Sequence, residues 1–321
     1  LLAVPKQTNE TVLQDVNDKF FVCGKTYQPK SAIVDKQSIK KELANADMLE
    51  WRSETDSTDL SAKQEVILTF DKSEDLENLG LAVTFRQSLL VTYLFYSVMG
   101  YSGDQISELF VALETEPKYM DKVNNGVKKE LGNIEVYYWN IQEKQWIHSG
   151  GFYEEGPIAR NNQVLPIGEI LEESVKIKLV LTKGFWRIDA CNLIELKKEI
   201  SPIEIKPKAI NKNGRLSADA KLELLNDSVY LISMPGDEFE MIFDLPENEN
   251  DYALFLSSKG YYLEWMREHW IKDKDWSKIF DMLYRPKHFL KDEAAFYKAN
   301  EAKMEEDFWN SKIDTKTFSY D

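Results

Sequence analysis

Two stretches of this sequence repeat one local grammar, and the repetition narrows the folds open to the chain. Residues 65–99 read as a strand (EVILTF), an acidic loop, a second strand (LGLAVTF) and an aromatic helix. Residues 234–270 read as strand, acidic loop, strand, Gly turn and aromatic helix. VILTFD at 66–71 matches FEMIFD at 239–244, residues 83–90 match 255–262, and Tyr93 matches Trp265. Upstream, the short helix predicted at 39–47 matches 221–227. The pattern fits either a duplicated unit of roughly 60–70 residues or convergence on one strand–loop–strand–helix grammar, since identity between the two is low. A smaller echo joins Thr182-Lys183-Gly184-Phe185-Trp186 to Ser258-Lys259-Gly260-Tyr261-Tyr262, two aromatics straight after a Gly turn.

Strands and helices mixed within one unit predict an α+β fold, an antiparallel β-sandwich or sheet layers with packed helices. The clearest period-two run is at 175–181, with Val175, Ile177, Leu179 and Leu181 on one face and Lys176 and Lys178 opposite. Lys183-Gly184 reads as the turn of a hairpin whose return strand begins at Trp186 and Ile188. A second hairpin is predicted from 134–139 and 145–150, and further strands at 20–24, 48–53 and 229–234. Helical spacing at about 87–131 marks a helical insertion. The expected organisation is a loose lead-in at 1–18, a β-rich domain at 19–200, and a second strand–helix unit at 201–321 that ends in helices.

Fifty-five acids against 40 Lys and Arg give a net charge of −15. That excludes nucleic acid as a partner, since phosphate binding needs a basic face. Self-repulsion favouring solubility is the simpler meaning of the excess. No apolar run is long enough to span a bilayer as a helix; the longest, at 89–101, reads as a buried helix. The opening Leu-Leu-Ala-Val, without Met or a basic region, reads as a start from which an export signal has been removed. Cys23 and Cys191 form no CxxC pair, and His148, His269 and His288 have no partner at metal-ligand spacing, so neither a metal nor a cofactor is predicted.

The candidate ligand-binding residues fall in two groups. Trp186, Arg187 and Asp189 combine a ring, a guanidinium and a carboxylate, a set that can grip a sugar by stacking and charged hydrogen bonds. The competing reading puts Trp186 and Ile188 in the core and leaves Arg187 and Asp189 as surface partners. Tyr261, Tyr262, Trp265 and His269 form an aromatic stripe at helical spacing, which core packing explains equally. The acidic loops DKSEDLEN and DLPENEND lack the EF-hand pattern, and no residues are assigned to catalysis. Among 55 acids a carboxylate pair for glycoside hydrolysis has no distinguishing sequence mark.

The segments LTKGFWRIDACNLIEL, MPGDEFEMIFDLP and YALFLSSKGYYLEWMREHW together resemble a family of bacterial proteins, exported or lipoprotein-like, without a settled activity. The resemblance covers about residues 65–309. It implies a periplasmic or cell-envelope location, with a glycan or another envelope protein as partner. The run at 175–196 also looks like the closing strands of galactose-binding-like jelly rolls. The expected function is a non-catalytic exported protein with a binding or structural role. The alternative is a carbohydrate-binding module or a hydrolase using a carboxylate pair.

Overall fold

The computed structural model describes residues 1–8, 10–72, 78–153, 156–168, 170, 174–234, 236–246, 248–260 and 268–311. The chain begins with β1 (Leu2–Pro5), β2 (Thr11–Gln14), β3 (Phe20–Tyr27), β4 (Ser31–Val34) and β5 (Gln37–Ser38). The short helix α1 (Lys40–Leu43) leads to β6 (Lys63–Asp71) and β7 (Leu79–Gln87). Four helices follow: α2 (Leu89–Ser102), α3 (Ile106–Thr115), α4 (Pro117–Val123) and α5 (Lys129–Leu131). Next come β8 (Ile134–Asn140), β9 (Gln145–Phe152), β10 (Asn161–Gly168), β11 (Ser174–Thr182) and the long β12 (Trp186–Ile200). The remainder contains β13 (Ile203–Glu204), β14 (Ala209–Lys212), β15 (Arg215–Leu216), α6 (Ala218–Leu225), β16 (Phe239–Ile242) and β17 (Tyr252–Phe255). It ends in α7 (Glu268–Asp273), α8 (Trp276–Tyr284) and α9 (Pro286–Asn310).

The fold is α+β, with antiparallel sheets and helices packed on them. Strands β10-β2-β3-β12-β7 close a small barrel, whose β10–β2 contact is parallel. Strands β5-β4-β6-β11-β8-β9 form a six-stranded sheet, and β13-β1-β17 and β15-β14-β16 form two three-stranded sheets. Val66, Leu68 and Phe70 of β6 and Val175, Ile177 and Leu179 of β11 point inward, as period-two spacing requires. They meet Phe85, Phe152 and Trp186 and the helical side chains Leu90, Phe289 and Tyr297 in one core. Every residue of β7 is buried: it lies between β10 and β12, and Leu79, Leu81, Val83 and Phe85 join the main core.

The repeated grammar has a structural counterpart. The first unit runs from β4 to α4, the second from β14 onward. Pro29-Lys30 precedes β4 and Pro207-Lys208 precedes β14. Both units then make a hairpin whose two central residues have positive φ, Asp35 (46°) and Lys36 (71°) in one, Asn213 (51°) and Gly214 (73°) in the other. The sheet orders agree: β5-β4-β6 and β15-β14-β16. Single hydrogen bonds agree as well. Lys30 N–H donates to Thr69 O at 2.7 Å, and Lys208 N–H donates to Ile242 O at 2.7 Å. Lys30 pairs with Asp71 at 2.8 Å, and Lys208 with Asp244 at 2.9 Å. Farther on, SELF at 107–110 in α3 corresponds to SKIF at 277–280 in α8, and Pro117-Lys118 opening α4 to Pro286-Lys287 opening α9.

The units differ in what covers them. In the first, β6 is flanked by β11, and β12 sits between β3 and β7. In the second, β1 sits between β13 and β17, so the N-terminal strand fills the slot that β12 fills in the first unit. Among the described residues nothing fills the place of β11 beside β16.

Several sequence expectations are corrected. Residues 1–18 are not a loose lead-in: they supply β1 and β2, with Ala3 and Val4 fully buried. The run at 175–196 is not a hairpin. β11 pairs with β6 and β8, whereas β12 pairs with β3 and β7. The turn exists, with Gly184 at φ 70°, but it passes the chain from one sheet to another. There Gly184 N–H donates to Ser53 Oγ at 3.0 Å. Residues 229–234 form no strand, since Val229 N–H is turned back to Asn226 O. Of 48–53, only Trp51 makes a bridge, to Ile188.

Candidate functional site

Helix α9 organises the site. Pro286 stands in its first turn, where a missing N–H leaves no intrahelical bond unmade. Its buried residues are Phe289, Leu290, Glu293, Ala294, Tyr297 and Glu301, one face at spacings of three and four. Two carboxylates therefore lie on an apolar stripe, and each has to be satisfied in place.

Glu293 accepts hydrogen bonds from the Tyr93 hydroxyl at 2.5 Å, the Tyr101 hydroxyl at 2.8 Å and Lys278 Nζ at 3.1 Å. The donors come from α2 and α8, so one carboxylate joins three helices. Burial first, then the hydrogen bond and charge of Glu293, push both tyrosines well above the ordinary value of 10.0. Burial lowers the Lys278 ammonium, but Glu293 and Asp292 outweigh it and leave the pKa raised. A carboxylate with both oxygens held by protein donors is poorly placed to exchange protons with a substrate.

Beside this cluster lies a cleft of about 470 Å³ between α2, α7 and α9. Tyr93, Tyr96, Trp270 and Phe296 line it, with the exposed His269 and Asp273 contributing polar edges. Phe296 is 62% exposed and stacks on Tyr93, the rings 6.1 Å apart and inclined by 25°. Trp270 is buried against Tyr96, 6.4 Å between centroids. The cleft thus offers an accessible ring on a rigid support.

The far half of α9 is bound to the barrel side by charge. Arg52 donates to Glu301 at 2.6 Å, as does the Thr55 hydroxyl at 2.7 Å. Arg187 pairs with Glu305 at 2.9 Å, and Arg86 grips Glu50 with two bonds of 2.6 Å while its guanidinium lies 4.9 Å from the Trp309 ring. Burial pushes the Glu305 carboxyl up. The hydrogen bond and charge of Arg187, with Trp309 and Arg52, exceed that and hold it below its ordinary value.

The sequence-predicted residues fall as follows. Trp186 is 1% exposed, edge-on to Phe85 and Phe185 in the core, and presents no platform for a sugar. Arg187 belongs to the α9 network. Asp189 is no surface partner: it is fully buried, because a β-bulge between Ile188 and Ala190 breaks the alternation of β12. Its carboxylate accepts from Met48 N–H at 2.8 Å and from Arg160 at 2.9 Å. Tyr261, Tyr262 and Trp265 lie outside the described residues. Cys23 and Cys191 are free and buried, and burial raises both thiols, Cys23 to about 11, so neither is poised to react.

Three features escaped the sequence reading. Glu293 and Glu301 had a signal, acids at core spacing within α9, which the count of 55 acids obscured. Tyr101 and Lys278 carried none. His288 approaches Asp281 at 3.2 Å and Asp292 at 3.4 Å, the one group of metal-ligand type among the described residues. Arg285 already pairs with Asp281 and Lys278 with Asp292, so the arrangement is accounted for as an ion-pair network. No protein-family model matches this chain, and no curated protein matches it.

Proposed function

We propose that this chain is a non-catalytic binding protein whose ligand enters the cleft between α2, α7 and α9. The carrying observation is the pairing of an exposed ring, Phe296 on Tyr93, with a carboxylate consumed by its neighbours. A site of this kind can stack and orient a ligand, with its ionisable centre committed to holding helices. The likeness to exported, lipoprotein-like bacterial proteins supports a place in the cell envelope. Among the described residues no helix is long and apolar enough to cross a membrane.

The ligand class the cleft suits is an amphipathic ring, and a sugar is the first to test. Phe296 supplies the stacking face, and Asp273 and His269 the polar contacts. A glycan array run with the full chain and with Phe296→Ala tests this reading; Phe296 is exposed enough that its loss spares the core. Retention of a glycan family that falls at least ten-fold in the variant supports it. Equal retention by both proteins, or none by either, removes the sugar reading. Hydrolysis of a retained glycan that survives Glu293→Gln locates any chemistry elsewhere.

A further inference from the structure

Among the described residues the second unit's sheet ends at β16, whereas in the first unit β11 continues it beyond β6. β6 and β16 are equivalent strands: both hydrogen-bond on one side to a Pro-Lys-led strand, through Thr69 O and Ile242 O. Matching these residues aligns Glu65, Val66, Leu68 and Phe70 with Glu238, Phe239, Met241 and Phe243. In the first unit Val66, Leu68 and Phe70 are fully buried. In the second, Phe239 and Phe243 are only half-buried and Met241 is 39% exposed. Two things differ: β6 faces the main core, and β11 runs antiparallel along the whole of β6.

Among the described residues this edge is unpaired and can take a strand. Asn213 N–H donates to Glu238 O and Lys208 N–H to Ile242 O, so residues 238, 240 and 242 direct their backbone groups at β14. By alternation, the backbone groups of Phe239 and Met241 face the open side. The edge has no proline, lysine or bulge to discourage pairing. The charge is complementary as well. Lys178 of β11 pairs with Glu65 at 3.2 Å, and the second unit keeps an exposed glutamate, Glu238, at that position and adds Glu240. The neighbouring slot of this unit is already filled by a strand from far along the chain, since Leu2 of β1 pairs with Phe255 of β17.

We propose that β16 is a docking edge for an extended segment of a partner polypeptide, which adds antiparallel with apolar residues at alternate positions and a lysine opposite the Glu238–Glu240 face. The recognition mode is strand addition, with main-chain hydrogen bonds giving affinity and the alternate side chains giving register. It involves no residue of the α9 cleft, so the two readings stand or fall separately.

The test uses the full chain and a labelled peptide with the sequence of residues 174–182, SVKIKLVLT. Saturable binding is expected in the micromolar range that short added strands reach (a Kd of about 1–100 μM). Amide exchange at Phe239 and Met241 should slow at least ten-fold on binding. Glu238→Lys should weaken binding at least five-fold, and a peptide with both lysines replaced by glutamate should recover it on that variant. Met241→Pro removes an outward N–H without touching the β14 ladder and should abolish binding. Three results overturn the proposal: equal affinity for a scrambled peptide, unchanged exchange at β16, or a free chain that is already a dimer and becomes monomeric with Met241→Pro. The charge-swap pair keeps the test decisive if the proline variant folds poorly.

Discussion

The strand–turn–helix–strand segment appears twice, once wrapped by the rest of the molecule and once at its margin. The first copy shares its sheet with β11, β8 and β9 and faces the main core. The second copy keeps the turn geometry, the strand order and the Lys–Asp pair, and leaves its apolar side partly in water. Local features such as turn dihedrals and backbone bonds therefore do not depend on burial here. They are written in short-range sequence, whereas the amount of apolar surface removed from water is set by which distant strands arrive.

The largest test of that contrast exchanges equivalent core positions. Leu68→Ala, at a fully buried site, should cost about 2–5 kcal/mol in denaturant unfolding. Its counterpart Met241→Ala should cost under about 1 kcal/mol, because Met241 is already 39% exposed. Equal costs would break the comparison. Next in size are two glycines with similar φ. A Cβ at Gly184 would meet Thr55 Oγ1 at 2.0 Å and Thr55 Cα at 2.8 Å, so Gly184→Ala should lose about 2–4 kcal/mol from overpacking and strain together. Gly214 has open space around its Cβ position and its counterpart is Lys36, so Gly214→Ala should lose only about 1 kcal/mol by the same melt.

A smaller effect is pH-dependent. Glu305 has a folded pKa below its ordinary 4.5, so the unfolded chain takes up its proton first as the pH falls. The stability it contributes is complete above 4.5 and is lost as the pH drops through the lower folded value. Glu305→Gln should flatten that part of the acid unfolding profile, and hydrogen exchange should register the change at β12 and leave β16 alone. The smallest effect belongs to the shared surface pairs. Lys30→Ala and Lys208→Ala should each shift stability by no more than about 0.5 kcal/mol, since both pairs are largely exposed. A large loss in either would mean that the pair holds the unit together.

The legible parts of the structure are those in which local sequence decides. VILTFD and FEMIFD align residue for residue with two strands that occupy the same place in their sheets, because period two and an adjoining acid fix register within a few residues. The hairpin of β8 and β9 is read correctly for the same reason. Alternation at 175–181 shows which face is buried and nothing about the neighbouring strand, so the spacing suggests β11 against β12 where the structure pairs them with β6 and β7. The bulge at Asp189 adds one residue and reverses the faces after it, a change no spacing rule records. For the cleft, Tyr93 and His269 are legible in the sequence as members of aromatic helices. Their meeting with Phe296 depends on α9 folding back over α2, which short-range patterns do not specify.

The position of β1 has a consequence for synthesis. It leaves the ribosome well before its partner β17, which lies about 250 residues later in the pairing Leu2 to Phe255. The barrel segments and the six-stranded sheet are all translated in between. Until β17 is made, β1 has the short pairing with β13, Ala3 to Ile203, and its other edge stays open. So long a loop closure makes the joining of β1 to β17 a late, slow event. Until then, among the described residues, the second unit has two open edges, and any chaperone or partner that reads extended strands meets it in that state.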